Sequence, residues 1–209
     1  MRRRVLFAAA ALSLVVTACS SGDPSFDSAT ATTTTAVTTT TAVAPTTTVP
    51  PTTTAPPPVA PLTGTRAPAV LSPRGIVVPV LGPDPAGVRV GTPCGATAVL
   101  STGTPINGAQ VVLDAGHGGD EPGAIGPNRL TEKASNFEVT EHARAALEAA
   151  GVSVVLTRTG DYRMTLGART RIATALRPRA FVSVHHNGDP DGPRDTPGSE
   201  TYYQVRSAD

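Results

Sequence analysis

Two histidines and one glutamate stand out as a set that can do chemistry: His117, Glu132 and His185. Two imidazole nitrogens and one carboxylate oxygen make a zinc shell with three protein ligands, which leaves a fourth tetrahedral position for water. Zinc in such a shell lowers the pKa of its bound water to about 7 and polarises a carbonyl. The chemistry on offer is metal-assisted hydrolysis. Gly116, Gly118 and Gly119 surround His117, so the backbone can turn tightly and leave space beside the ring. Glu132 lies 15 residues further on, and His185 another 53. Each residue also has a plainer reading. His117 can be a solvated loop side chain, Glu132 a charge at a helix N-terminus, and His185 a strand-end ring bonded to backbone.

These residues need elements to position them. Val111-Val112-Leu113 reads as a strand buried on both faces, and it runs into the stretch Asp114-Ala115-Gly116-His117-Gly118-Gly119-Asp120. Residues 131–150 read as a helix that Thr131 can cap. Phe137, Ala143, Ala146, Leu147 and Ala150 form its inward face, and Gly151 suits the position just past its end. Residues 152–156 are a second apolar strand. A second helix comes next, capped by Thr165, with Leu166, Ile172, Ala173 and Leu176 inward and Pro178 as its stop; Ala180 to Val184 is a third strand that leads into His185-His186-Asn187. Strand and helix in alternation predict an α/β fold, a mostly parallel sheet with helices on its faces. Sites in such sheets form at the carboxyl ends of strands, which is where the two histidine-bearing loops fall. Upstream, short β-like runs at 76–81, 88–90 and 96–100 predict a small antiparallel element.

The first 65 or so residues are of another kind. Arg2-Arg3-Arg4 and the apolar run 5–16 have the form of an export signal. Val16-Thr17-Ala18-Cys19 resembles a bacterial lipobox, in which the cysteine is lipidated and becomes the new N-terminus; the alternative is a plain secretory signal with an ordinary thiol. Acyl chains on Cys19 would hold the chain to a membrane at about 0.8 kcal/mol per buried CH₂. Residues 27–61 are almost entirely Thr, Pro, Ala and Val. Such a stretch cannot bury enough apolar surface to order itself, and extended it reaches on the order of 100 Å at ~3.1 Å per residue. The expected division is a signal peptide at 1–18, a disordered linker at 19–65, a β-rich lead-in at 66–105 and the main domain at 106–209. Without the three leading arginines the chain has 14 basic and 16 acidic residues, which gives no electrostatic case for nucleic acid. The sequence is silent on oligomeric state. Cys94, in the turn-like Thr92-Pro93-Cys94-Gly95, is expected to have a partner outside this chain, because Cys19 has the other fate.

Several motifs in order also resemble one family. Val111 to Gly119, Pro122-Gly123-Ala124-Ile125-Gly126, Leu130-Thr131-Glu132-Lys133, Leu156-Thr157-Arg158-Thr159-Gly160-Asp161, Leu166-Gly167-Ala168-Arg169, Phe181 to Asn187 and Gly198 to Tyr203 resemble the zinc-dependent N-acetylmuramoyl-L-alanine amidases of the amidase-3 type. The likeness runs unbroken over about 110–203. It implies Zn²⁺ held by His117, Glu132 and His185. It implies peptidoglycan as substrate, cut at the amide between the lactyl group of muramic acid and L-alanine, and action in the cell wall, outside the membrane that Cys19 would anchor to. His186 stands where many members have alanine; it is expected to point across the sheet and has no ligand role.

The family also has a late glutamate, in a motif of the type Val-Glu-x-Gly-Phe, that serves as general base. This chain reaches Asp209 before any such motif. Glu200 is the one late carboxylate in a matching motif, but not at the base's place, and nothing in the sequence promotes Asp120 or Glu121. No catalytic base is assigned. The expectation is an incomplete amidase-3 domain with an unpaired apolar sheet edge. The alternatives are a decayed copy, a short protein that binds zinc or wall fragments without cleaving them, and a zinc peptidase or deacetylase.

Overall fold

The computed structural model describes residues 58–188 and 199–203. The chain divides into two units, one containing 58–187 and the other containing 188 and 199–203 among the described residues. The proposed signal, Cys19 and nearly all of the Thr/Pro stretch lie outside the described residues. In the second unit, the Tyr202 hydroxyl donates to Glu200 Oε2 at 2.7 Å.

Among the described residues, the first unit has two sheets. Six strands, β1 (Ala60–Pro61), β2 (Ala69–Leu71), β3 (Val77–Asp84), β4 (Gly87–Gly91), β5 (Thr97–Leu100) and β6 (Thr102–Ile106), form one sheet in the order β1-β6-β2-β3-β4-β5. Every pairing in it is antiparallel. Three strands, β7 (Val111–Ala115), β8 (Val154–Leu156) and β9 (Ala180–Val184), form a parallel sheet in the order β8-β7-β9. The expectation of a mostly parallel sheet is therefore corrected. The chain is mixed, and the antiparallel lead-in is the larger sheet. Strands β1 and β6 escaped notice because Pro61, Gly103 and Pro105 break their apolar pattern, and β2 because it is only three residues long.

Alternation explains why Ile76-Val77-Val78 is apolar without interruption. Ala69 and Val77 face one core, with Val112 of β7 and Met164, Ala168, Ile172 and Leu176. Val70 and Val78 face a second core, with Leu62, Val88 and Val90. Both faces of β2 and of the start of β3 are covered, so neither face tolerates polar residues there. The first core seats helix α2 (Leu166–Leu176). Thr165 caps α2, its hydroxyl accepting from Ala168 N at 3.2 Å. Leu166, expected inward, is 63% exposed, because it begins the helix before the buried face of Ala168, Ile172 and Leu176.

Helix α1 (Glu132–Ala149) packs against β7, β8 and β9. It ends as expected, with Gly151 at φ 79°, Gly151 N donating to Glu148 O and Val152 N to Leu147 O, a pattern that satisfies the last carbonyls. Its buried residues are not the apolar set expected. They are Glu132, Asn136 and Thr140, spaced four apart on one face. Thr131 precedes the helix in extended conformation without a side-chain cap bond. No described helix is long and apolar enough to cross a membrane. Cys94 is disulfide-bonded, and its partner lies outside the described residues.

Candidate metal site

β7 and β9 are neighbours in register, with Ala115 beside Val184. The loops leaving them, bearing His117 and His185, therefore start side by side. Helix α1 begins at Glu132, which two backbone bonds tie back to the first loop: Glu132 N donates to Ala124 O and Lys133 N to Pro122 O. The three candidate ligands meet there. Their ligand atoms all lie within 4.8 Å of one another. Glu132 Oε2 is 3.1 Å from His117 Nε2, and Oε1 is 3.0 Å from His185 Nδ1. The two rings stand edge to face, 4.8 Å between centroids and 77° apart in plane.

The carboxylate is held from several sides. Oε2 accepts from Ala124 N at 2.9 Å. Oε1 accepts from His186 N at 3.0 Å and from the Asn136 side-chain amide at 3.3 Å. Burial alone would raise the Glu132 pKa. The Ala124, Asn136 and His186 donors, with the His117 charge, outweigh it and bring the pKa down to about 2. A carboxylate cannot donate, so in this arrangement each ring nitrogen facing it is an N–H. A metal ion would take the place of both protons.

That donor set fits zinc. Bonds of about 2.0–2.2 Å to each ligand place neighbouring ligand atoms a little over 3 Å apart, close to the 3.1 and 3.0 Å that separate the two rings from the carboxylate, within a set that spans at most 4.8 Å. The Glu132 side chain is 6% exposed, while that of His185 is 45% exposed, so the cluster is walled on one side and open on the other. A small groove of about 150 Å³ adjoins it, lined among others by Leu130, Thr131, Ser135, His186 and Asn187. A larger cavity, about 570 Å³ near Arg66 and Leu81, belongs to the antiparallel sheet and contains none of the three donors.

His186 is not directed away across the sheet. β9 ends at Val184, so strand alternation no longer governs it, and its ring Nδ1 lies 2.6 Å from Asn136 Oδ1. Asp120 lies 3.6 Å from Arg163. Sequence reasoning missed Asn136, Arg158 and Arg169. Asn136 had a signal, since it sits four residues after Glu132 on the same helical face. The arginines stand in two of the motifs that carry the resemblance, but nothing in spacing says that a guanidinium is buried.

The pull on the Glu132 pKa has a consequence for stability. Its folded pKa lies below its ordinary value of 4.5, so the stabilisation is complete above about pH 4.5 and is lost as pH falls toward 2. In urea titrations of metal-free protein, stability is expected to drop by roughly 3 kcal/mol more over that window than it does for Glu132→Gln. Equal slopes would show that the carboxylate is not held as described.

The segment that carries the three donors is similar in sequence to known proteins. Residues 111–209 match the amidase-3 family. Its description is N-acetylmuramoyl-L-alanine amidase. An uncharacterised Bacillus subtilis protein, YqiI, is 40% identical over 115 residues, 53% of this chain and 54% of that protein. The N-acetylmuramoyl-L-alanine amidase AmiC of Neisseria meningitidis is 41% identical over 75 residues, 36% of this chain and 18% of that protein. Among solved structures, the N-acetylmuramoyl-L-alanine amidase AmiC2 of Nostoc punctiforme is 40% identical at TM-score 0.38, covering 39% of this chain and 46% of that one. The chain thus spans about half or less of these relatives. By the family match and the named relatives, this segment is similar to N-acetylmuramoyl-L-alanine amidases. All three candidate ligands fall inside it.

Proposed function

We propose that the chain is a zinc-dependent hydrolase of peptidoglycan that cuts the amide between the lactyl group of N-acetylmuramic acid and L-alanine. The observation that carries this reading is the meeting of His117, Glu132 and His185 within one small volume inside the amidase-3 segment. The zinc, when bound, supplies an activated water and a Lewis acid for the carbonyl. The protein's own part is to hold the three donors, with Ala124 N–H and Asn136 fixing the carboxylate between the rings. The open His185 side and the adjoining groove would admit the muramoyl and peptide parts of the substrate. No residue is assigned as general base.

The purified chain, loaded with zinc, should release stem peptides with a free L-alanine amino group from intact peptidoglycan, and chelation should stop the release. Cleavage at another bond would replace this reading with a different zinc hydrolase. Pelleting with peptidoglycan without cleavage would reduce the chain to a wall-binding module.

We further infer an exported protein, with a signal at 1–18, a lipid on Cys19, a spacer that ends before β1 at Ala60 rather than at the expected 65, a β-rich lead-in to 105 and the amidase-3 domain beyond. One sulfur cannot carry both a thioether and a disulfide, so lipidation of Cys19 requires Cys94 to pair elsewhere. Labelled fatty acid incorporated by the chain, and not by Cys19→Ser, would support the anchor; no incorporation would remove it.

A further inference from the structure

Beneath the three candidate ligands lies a buried polar frame that the proposed reaction does not use. Arg158 is 1% and Arg169 4% exposed, and Asp114 is 3% exposed. Arg158 Nε donates to Ala115 O at 2.9 Å, and Nη1 to Gly160 O at 3.1 Å. Its Nη2 donates both to Gly116 O at 3.1 Å and to Lys133 O at 2.7 Å. Gly116 directly precedes His117, and Lys133 directly follows Glu132. One nitrogen atom thus spans the backbone beside two of the ligands.

Arg169 completes the hold on the first loop. Its Nη1 donates to Asp114 Oδ1 and to Ala115 O, each at 2.8 Å, and Nη2 to His117 O at 2.7 Å. His117 has φ 60°, a left-handed conformation that a non-glycine residue adopts only when its surroundings impose it. The third ligand is reached through the acid. Asp114 Oδ2 accepts from the Ser183 hydroxyl at 2.7 Å, two residues before His185 on β9. The Phe137 ring closes the frame, 4.9 Å from the Arg158 guanidinium carbon.

Two cations beside one carboxylate, all removed from water, are a costly way to fill space, and apolar side chains of like volume commonly serve stability as well or better. What apolar side chains cannot do is grip five backbone carbonyls at fixed points. Resting on the metal reading above, we propose that Arg158, Arg169 and Asp114 are positioning residues that set the mutual spacing of His117, Glu132 and His185, and so the affinity and geometry of the metal site. They do not touch the metal or the substrate.

The test is zinc affinity of the full chain, by competition with a chromogenic chelator, and the visible spectrum of the cobalt-loaded protein. Arg158→Lys keeps the charge but offers a compact ammonium that cannot span four carbonyls. It should weaken zinc binding about 10- to 100-fold, the usual effect of losing an orienting partner, and shift the cobalt bands, while far-ultraviolet circular dichroism stays native. Ser183→Ala, which removes only the link to β9, should weaken binding several-fold. If Arg158→Lys does not fold, Ser183→Ala decides alone. Affinities and cobalt spectra unchanged from wild type would overturn the proposal and leave the metal reading intact. A wild-type chain that binds no zinc would take down both.

Discussion

Glu132→Gln should lose zinc binding by at least a hundredfold while keeping its fold. The carboxylate is the hub of the site: one oxygen faces His117 Nε2 and the other His185 Nδ1. Glutamine preserves the volume but presents one acceptor and one N–H₂ group where two acceptors are needed. Structural zinc sites of four protein ligands bind with about 10–16 kcal/mol. Losing one ligand then costs roughly 3 kcal/mol or more, which is a factor of about a hundred. Isothermal titration of metal-free protein with zinc would measure it, and an affinity within tenfold of wild type would remove Glu132 from the shell.

Gly116→Ala is the second large effect, and it acts on a ligand without touching that ligand's chemistry. A Cβ at Gly116 would sit on the His185 ring, far inside van der Waals contact with its Cε1, Nε2 and Nδ1. The Gly116 carbonyl is held by Arg158, so the imidazole is the part that gives way. Zinc affinity should fall by about the same factor as for removing a ligand, roughly a hundredfold. Gly167→Ala makes the matched control. A Cβ there meets nothing within 4 Å, and zinc binding should be unchanged. Tight zinc binding by Gly116→Ala would mean that the His185 ring does not occupy the place described.

The meeting of the three candidate ligands was legible because their chemistry is written in residue type and their place in two strand ends and a helix start. Val111 to Leu113 and Ala180 to Val184 could be read as strands, and the loop leaving a parallel strand lies at the sheet's carboxyl edge. The face of α1 was not legible. Counting apolar residues at helical spacing selects Phe137, Ala143 and Leu147 and treats Asn136 and Thr140 as solvent-facing, yet the latter two are 0% exposed. Hydropathy cannot see that a buried carboxylate makes its polar neighbours welcome. The antiparallel sheet was underestimated for a related reason. β6 is Thr-Gly-Thr-Pro-Ile, and its place comes from pairing with β1 and β2 rather than from its own composition.

The polar seam of α1 changes how this segment should respond when an ion leaves. The helix meets the sheet through Glu132, Asn136, with its amide near Gly116 O, and Thr140, whose hydroxyl donates to Asn136 O. Little oil-like adhesion backs these groups up. Amide protons of its first two turns should then exchange by a local opening that metal suppresses, well before the antiparallel sheet lets go. Zinc, on the proposed reading, would be a rivet for one end of a helix as well as a reagent.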